Sequence, residues 1–293
     1  MGKRVKYMQK KTIGMLLAGI VIIGAVGFAL FNGGSSKNET IAIRSATAKK
    51  MDVTETLSTT GTLIPNQTEN LIGTGNVTEL NVKVGDEVKK DQVLATYDSG
   101  LTLSAGMAGT VTEVNIKSGQ SDTSAQQGKA AIVIADLANL KVQLALSNSE
   151  ARQVNVDQKA VISSGGHDYN GKVTEKDPTA TASQTATGGA TLGAVVTFDD
   201  KPKELYAGFS ADVTITIATE KDALAIPIEA LTYNDKNEPI VYEVKDNKVH
   251  LIKVQTGIQS DQFIVIKDGL TNGASVVLSP ASNLKDGSAV TKE

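Results

Sequence analysis

Residues 75–85 read GNVTELNVKVG, and residues 109–119, thirty-four positions later, read GTVTEVNIKSG. Gly, Val, Thr, Glu, Asn, Lys and the closing Gly recur in register, while Leu80 to Val114 and Val82 to Ile116 are conservative exchanges. Agreement of this extent marks two copies of one β unit. In each copy two apolar residues, Val77 and Leu80 or Val111 and Val114, stand three apart before alternation resumes at Val82 and Ile116. That phase slip predicts a β-bulge in both copies. Neither unit can cover its own apolar face, so the pair predicts a small flattened barrel with quasi-two-fold symmetry. Gly85-Asp86 suits a tight turn, the glycine supplying positive φ and the acid an Asx-type bond to the backbone.

Outward from the repeat, short runs of Val, Ile, Thr and Leu alternate with polar residues between Gly, Asp and Asn, as in Val111 to Ile116, Ala211 to Ile217 and Ile240 to Val244. The pattern is mainly β. One short helix is expected over Asn148 to Val156, capped by Asn148 or Ser149. The run DPTATASQTATGGATLG, residues 177–193, has almost no large apolar residue and reads as a loop within a β domain.

Composition narrows the chemistry. The 293 residues include no Cys, no Trp and two histidines, His167 and His250, which excludes disulfides and thiolate sites and leaves little for imidazole-based metal sites or triads. With 4% aromatic residues, several small cores are expected rather than one large one. No G-x-x-x-x-G-K-[ST] loop occurs, so nucleotide hydrolysis has no apparatus. No cofactor is expected. The best candidates for an enzyme of the cell envelope are His167-Asp168 and Asp199-Asp200; beside Gly165-Gly166 the first pair reads as a solvated turn, and adjacent acids on a strand face opposite ways.

Residues 12–31, TIGMLLAGIVIIGAVGFALF, form a twenty-residue uncharged stretch that as a helix spans about the 30 Å of a bilayer core. A cleaved signal peptide is the alternative, but its apolar region is usually shorter and no A-x-A-like site follows. Lys3, Arg4, Lys6, Lys10 and Lys11 precede the stretch, so residues 1–11 are read as a basic cytoplasmic tail, 12–31 as a single-pass anchor and 32–44 as a linker, with the bulk outside the membrane. Those five lysines and arginines leave 24 basic side chains against 32 acidic ones beyond Phe31, a formal charge of −8. So acidic a body is a poor partner for nucleic acid.

The run G-x-V-x-x-L-x-V-x-x-G-D-x-V-x-x-x-Q-x-L from Gly75 to Leu94 resembles the first half of a biotinyl/lipoyl domain, and Ser104-Ala105 with Gly109 to Leu137 resembles the second. The resemblance makes Gly75, Gly85, Asp86, Gly109 and Gly119 structural positions of that domain. In carriers the connecting hairpin presents a lysine for modification; here it is Tyr97-Asp98-Ser99-Gly100-Leu101-Thr102-Leu103, without lysine. Further along, Gly171-Lys172-Val173, Leu205 to Ala211, Ala223 to Ala230, Val241 to Val244, Val254 to Gly257 and Ile266 to Leu270 follow in the order seen in membrane fusion proteins. The chain is thus similar to HlyD/MacA-like adaptor subunits of ABC-type exporters, over roughly residues 45–280.

That resemblance implies a biotinyl/lipoyl-like domain over 65–136, a β-barrel domain over 137–217 and a membrane-proximal domain combining 45–60 with 218–293. It also implies a non-enzymatic adaptor on a MacB-like ABC permease and its ATPase, assembled as a ring of about six subunits, that holds or channels a peptide, antibiotic or lipid outside the membrane. The long coiled-coil hairpin typical of the family is replaced by a few residues and no heptads occur, which points to a single-membrane, Gram-positive host. A structural or sensory ectodomain that binds a permease without transport is the alternative. The Ala125-Gln126-Gln127 step, ten residues before Leu137, resembles a family loop whose glutamine lines the channel. The resemblance implies that Gln126 is a channel gate; by composition alone the segment is a solvated polar loop.

Overall fold

The computed structural model describes residues 40–182 and 189–293. The apolar stretch 12–31 and part of the polar run 177–193 lie outside the described residues. Among the described residues no helix is long and apolar enough to cross a membrane. The fold is mainly β, and the described residues divide into two compact units: Lys50–Ile228 with Thr256–Lys267, and residues 40–49 with Glu229–Gln255 and Asp268–Glu293. Residues 50–60 and 218–228 therefore share a unit with residues 61–217.

The larger unit holds the repeat. A three-stranded sheet, Val77–Leu80, Val93–Tyr97 and Thr102–Ser104, packs with a four-stranded one built from Thr68–Leu71, Ile132–Ala135, Gly109–Val114 and Glu87–Val88. Val77, Leu94 and Tyr97 from one sheet and Val88, Val111, Ile132 and Ile134 from the other are buried in one core. Both expected bulges are present. Val77 lies opposite Tyr97 and Glu79 opposite Thr96, so Thr78 is the extra residue; Val111 lies opposite Ile134 and Glu113 opposite Val133, so Thr112 is the extra residue of the second copy. Each threonine hydroxyl then donates to a carbonyl of the facing strand, Thr78 to Thr96 at 3.0 Å and Thr112 to Val133 at 3.4 Å.

A second barrel in the same unit has six strands in the order Lys159–Ser164, His167–Lys176, Leu192–Phe198, Leu140–Leu146, Lys49–Pro65 and Ser210–Pro227, the last pairing back onto the first. Closure removes the edges on which unpaired N–H and C=O groups would invite other chains. Its core comes from alternation: Leu140, Val142, Leu144 and Leu146 point inward between the polar or small residues Lys141, Gln143 and Ala145. The α-helix Asn148–Gln153 is capped by Ser147 rather than by Asn148 or Ser149. Ser147 and Glu150 form a capping box, and the Lys176 ammonium donates to the carbonyls of Ala151 and Val154 at the other end, at 2.6 and 2.8 Å. Bonds from the Ser147 side chain and backbone hold the Glu150 carboxyl below its ordinary range, against the opposing effect of burial. Beyond the barrel, the end of Ser210–Pro227 pairs with Phe263–Asp268 around a small core of Val53, Ala225 and Val265.

In the smaller unit Ser45–Thr47, Thr232–Tyr233, Pro239–Lys245, Lys248–Lys253 and Ser275–Val277 form a sheet, and Ile41–Ile43 pairs in parallel with Val290–Lys292. Ile43, Val249, Val277, Leu284 and Val290 are its core. Arg44 bonds to the Glu229 carboxylate at 2.8 Å on its exposed surface.

Gly75 and Gly109 occupy equivalent repeat positions yet are required for different reasons. Gly75 has a φ of 106°, whereas a Cβ on Gly109 would stand 2.7 Å from the Ala135 carbonyl oxygen and 2.9 Å from Ile134 Cγ2. At Gly119 the φ is 78° with open space around it. Gly109→Ala is expected to cost about 1–3 kcal/mol by overpacking. Gly119→Asn should be tolerated better than Gly119→Val, because asparagine visits positive φ and a β-branched residue does not. Urea unfolding of the three variants beside the parent checks both.

Candidate functional site

The two repeats lock through reciprocal backbone bonds. The N–H of Gly85 donates to the Val111 carbonyl at 2.9 Å, and the N–H of Gly119 donates to the Val77 carbonyl at 2.7 Å. In return, Val111 donates to Asp86 and Val77 to Gln120, each at 2.9 Å. Positive φ at both glycines, 93° and 78°, turns the chain so that these groups face each other. The Asp86 side chain does bond to the backbone, but to the N–H of Lys83 three residues earlier, at 3.0 Å, and not forward as in an Asx turn. The equivalent position in the second copy is Gln120, whose exposed side chain leads into the loop carrying Gln126.

That loop is built, not loose. Ala125–Gln127 forms a single 3-10 turn, ended by Gly128 in the left-handed region with its N–H on the Ala125 carbonyl at 3.1 Å. Lys129 donates its backbone N–H to Ser124 at 2.9 Å, and the Gln127 side chain donates to the Thr123 hydroxyl at 3.0 Å. Gln126 is exposed, and its side chain projects from the turn into solvent. Beneath the turn lie Asp122 and Ser124, 8% and 2% exposed. Asp122 accepts from the Tyr97 hydroxyl at 2.7 Å, from the Ser124 hydroxyl at 2.6 Å and from the Ser124 N–H at 2.8 Å, while its own N–H donates to Gly75 at 2.8 Å. Burial pushes the Asp122 carboxyl upward, but the bonds from Ser124 and Tyr97 outweigh it and hold the group below the ordinary value of 3.8. Burial, and then the bond and charge of Asp122, push the Tyr97 hydroxyl well above its usual range. Neither Tyr97 nor Asp122 stood out in the sequence, where Asp122 is one polar residue among several and Tyr97 lies 25 positions away.

At the other end of the first copy, Val93–Tyr97 and Thr102–Ser104 are joined by a tight turn, with Tyr97 donating to the Leu101 carbonyl at 2.8 Å and Gly100 to the Tyr97 carbonyl at 2.9 Å. The turn presents Asp98, Ser99 and Gly100, and Asp98 is tied back by the Asn76 amide at 2.8 Å. His167 and Asp168 follow the two-glycine turn Gly165-Gly166 of a hairpin, and Asp168 accepts from the Ser163 hydroxyl at 2.6 Å. Both are exposed, and Asp199 and Asp200 lie just past the strand Leu192–Phe198. His167 and Asp168 line an open pocket with Ser163, Ser164, Ser210 and Asp212, which holds the Ser163–Asp168 hydrogen bond; Asp199 and Asp200 do not line it.

The geometry is that of two intertwined β repeats and a closed six-stranded barrel. Two family models match the chain, the barrel-sandwich hybrid domain of YknX over residues 72–135 and the C-terminal permuted SH3-like domain of YknX over residues 223–292. Over these two stretches the chain is similar to YknX. It is 28% identical over 207 residues to the efflux system component YknX of Bacillus subtilis (strain 168), an alignment that takes in 68% of this chain and 54% of that protein. To the multidrug resistance protein MdtA of Xenorhabdus bovienii (strain SS-2004) it is 31% identical over 94 residues, 32% of this chain and 23% of that one. The chain thus spans less than two thirds of the length of either relative. Its fold matches the crystal structure of MacA from Actinobacillus actinomycetemcomitans with a TM-score of 0.69 at 18% identity, over 80% of this chain and 99% of that one.

A carboxyl held below its ordinary value favours folding above the unfolded value and loses that contribution as pH falls through the lower folded value. Asp122→Asn should therefore be less stable than the parent at neutral pH, by about 1–3 kcal/mol for a charge-assisted bond. The gap should close as the pH is taken below 3.8. Unfolding midpoints measured from pH 7 downward check the sign; a gap that widens in acid refutes it.

Proposed function

We propose that the chain is a non-enzymatic extracytoplasmic adaptor of an ABC-type exporter, held in the cell membrane by residues 12–31 with its N-terminus in the cytoplasm. The observation that carries this reading is the hairpin Tyr97–Leu101. The repeat barrel has the build of a carrier domain, but the position that must offer a lysine to a modifying enzyme offers Asp98, Ser99 and Gly100 in a closed turn. A swinging arm has nowhere to attach, which leaves the scaffolding use of the same fold. The matches to YknX and MacA support that use.

In this reading the membrane-proximal region, 45–60 with 218–293, docks on a MacB-like permease whose ATPase supplies the energy. The domains over 65–136 and 137–217 pack side by side into a ring of about six subunits. Contacts of that kind are heterologous and close on themselves. The adaptor acts by binding one transporter state better than another, because only a difference in affinity shifts an equilibrium between states. Gln126 from each subunit lines the axis. A primary amide donates and accepts, so neighbouring glutamines bond around a ring without charge and part at low cost as a peptide, antibiotic or lipid passes. With a turn in place of a helical arm, the adaptor suits a cell with one membrane.

Because the chain lacks cysteine, Gln126→Cys places its one thiol on the loop. In the complex with permease and ATPase, a short thiol cross-linker should join neighbouring subunits through that thiol, whereas Gln120→Cys at the base of the loop should react less. Gln126→Ala should alter export. No inter-subunit product from Gln126→Cys together with unchanged export in Gln126→Ala removes the gate. Protease added to wall-stripped cells should digest the chain beyond about residue 40; protection of residues 218–293 would overturn the orientation and the export role together.

A further inference from the structure

The repeat symmetry is broken in one place. Thirty-four positions after Val88 stands Asp122, and the residue opposite the first strand of each copy is Tyr97 in one case and Ile134 in the other. The quasi-two-fold relation thus sets the buried apolar pair Val88 and Ile134 against the hydrogen-bonded pair Asp122 and Tyr97. The first copy shows that this position can be filled by valine, at 3% exposure. Burying a carboxylate there is costly unless every bond to it is made. The second copy meets that condition, with three donors on Asp122 and no buried side-chain polar atom without a partner among the described residues.

The break coincides with a difference in length. From Val88 to Ala95, which faces Leu80, is seven positions; from Asp122 to Ile132, which faces Val114, is ten. The three additional residues accompany the turn Ala125–Gln127. Gly128 has no neighbouring atom within 4 Å of where its Cβ would be, so nothing packs over that side of the turn; what holds it is below it. Ser124 joins the two parts: its side chain and N–H are on Asp122, and its carbonyl receives Gln127 at 3.0 Å and Lys129 at 2.9 Å.

We propose that Tyr97, Asp122 and Ser124 are positioning residues that fix the Gln126 turn rigidly to the repeat barrel, so that the turn moves only as the whole domain moves. The proposal rests on the adaptor reading for its purpose but not for its geometry. In a ring, a turn so held makes Gln126 a reporter of subunit displacement: the constriction opens when neighbouring domains shift, not when a loop swings.

Hydrogen exchange of the full-length protein in detergent tests the geometry by itself. In Tyr97→Phe/Asp122→Val/Ser124→Ala, which puts the first copy's valine at position 122 and removes both hydroxyls bonded to Asp122, the amides of Gln127, Gly128 and Lys129 should exchange about tenfold faster, and in Tyr97→Phe alone about threefold faster, the scale of one or two lost hydrogen bonds. The inter-repeat amides of Gly85 and Val111 should stay within about twofold of the parent. Unchanged turn amides in both variants overturn the proposal. Acceleration of Gly85 and Val111 together with the turn also overturns it, because the three residues then merely support the fold. In the assembled complex the same substitutions should lower inter-subunit cross-linking of Gln126→Cys. If the turn amides respond while Gln126→Cys never cross-links even with the three residues intact, the positioning stands and the gate fails.

Discussion

Four backbone hydrogen bonds exchanged between Gly85-Asp86 and Val111, and between Gly119-Gln120 and Val77, are the constraint on which the rest of this domain depends. Each bond is worth only about 0.5–1.5 kcal/mol net. Their effect is geometric: they tie the end of each repeat to the strand that begins the other, so neither copy folds against itself. The bulges at Thr78 and Thr112 belong to the same device. By adding a residue to one strand, each bulge sharpens the local twist and carries the chain across from one sheet to the next.

Symmetry of this kind leaves departures from it legible. Most of the second copy repeats the first in type and burial, and where it does not, a charged residue enters the core with its partners already supplied. Asp122 draws one donor from Tyr97 on the opposite copy and two from Ser124 on its own loop. The low local dielectric that makes an unpaired carboxylate expensive also strengthens each of those bonds. A turn seated on them has one preferred arrangement. The first copy, with Val88 in the equivalent place, has a shorter connection and no such turn.

The same economy runs through the larger unit. With few aromatic residues to fill a wide core, the chain builds narrow ones, each closed by backbone pairing: the flattened repeat barrel, the six-stranded barrel, and a small cluster around Val53, Ala225 and Val265. Two long strands, Lys49–Pro65 and Ser210–Pro227, serve both the six-stranded barrel and that cluster, and they cross it in opposite senses along the chain. Scaffolds of this sort resist bending within a domain, which suits a protein whose proposed task is to respond as a whole to the partner it stands on.

The sequence alone determined that the protein is mainly β, that residues 75–85 and 109–119 are one unit used twice, and that each contains a bulge. These are properties of residue periodicity, and a period of two with one slip admits few other structures. It also determined that the hairpin from Tyr97 to Leu103 has no lysine to offer. The helix over Asn148–Gln153 was legible, but its cap was displaced by one residue, because Asn148, Ser149 and Ser147 are equally good caps until the strand before them fixes where the helix starts. What only the tertiary structure decided is which polar residues are inside. Asp122 and Ser124 sit in a stretch, SDTSAQQGK, that by composition is uniformly solvated, and their burial depends on a tyrosine brought from another strand by the two-fold packing of the repeats. Periodicity reports the preference of a residue for water; it carries no record of a partner 25 positions away that makes burial of a carboxylate affordable.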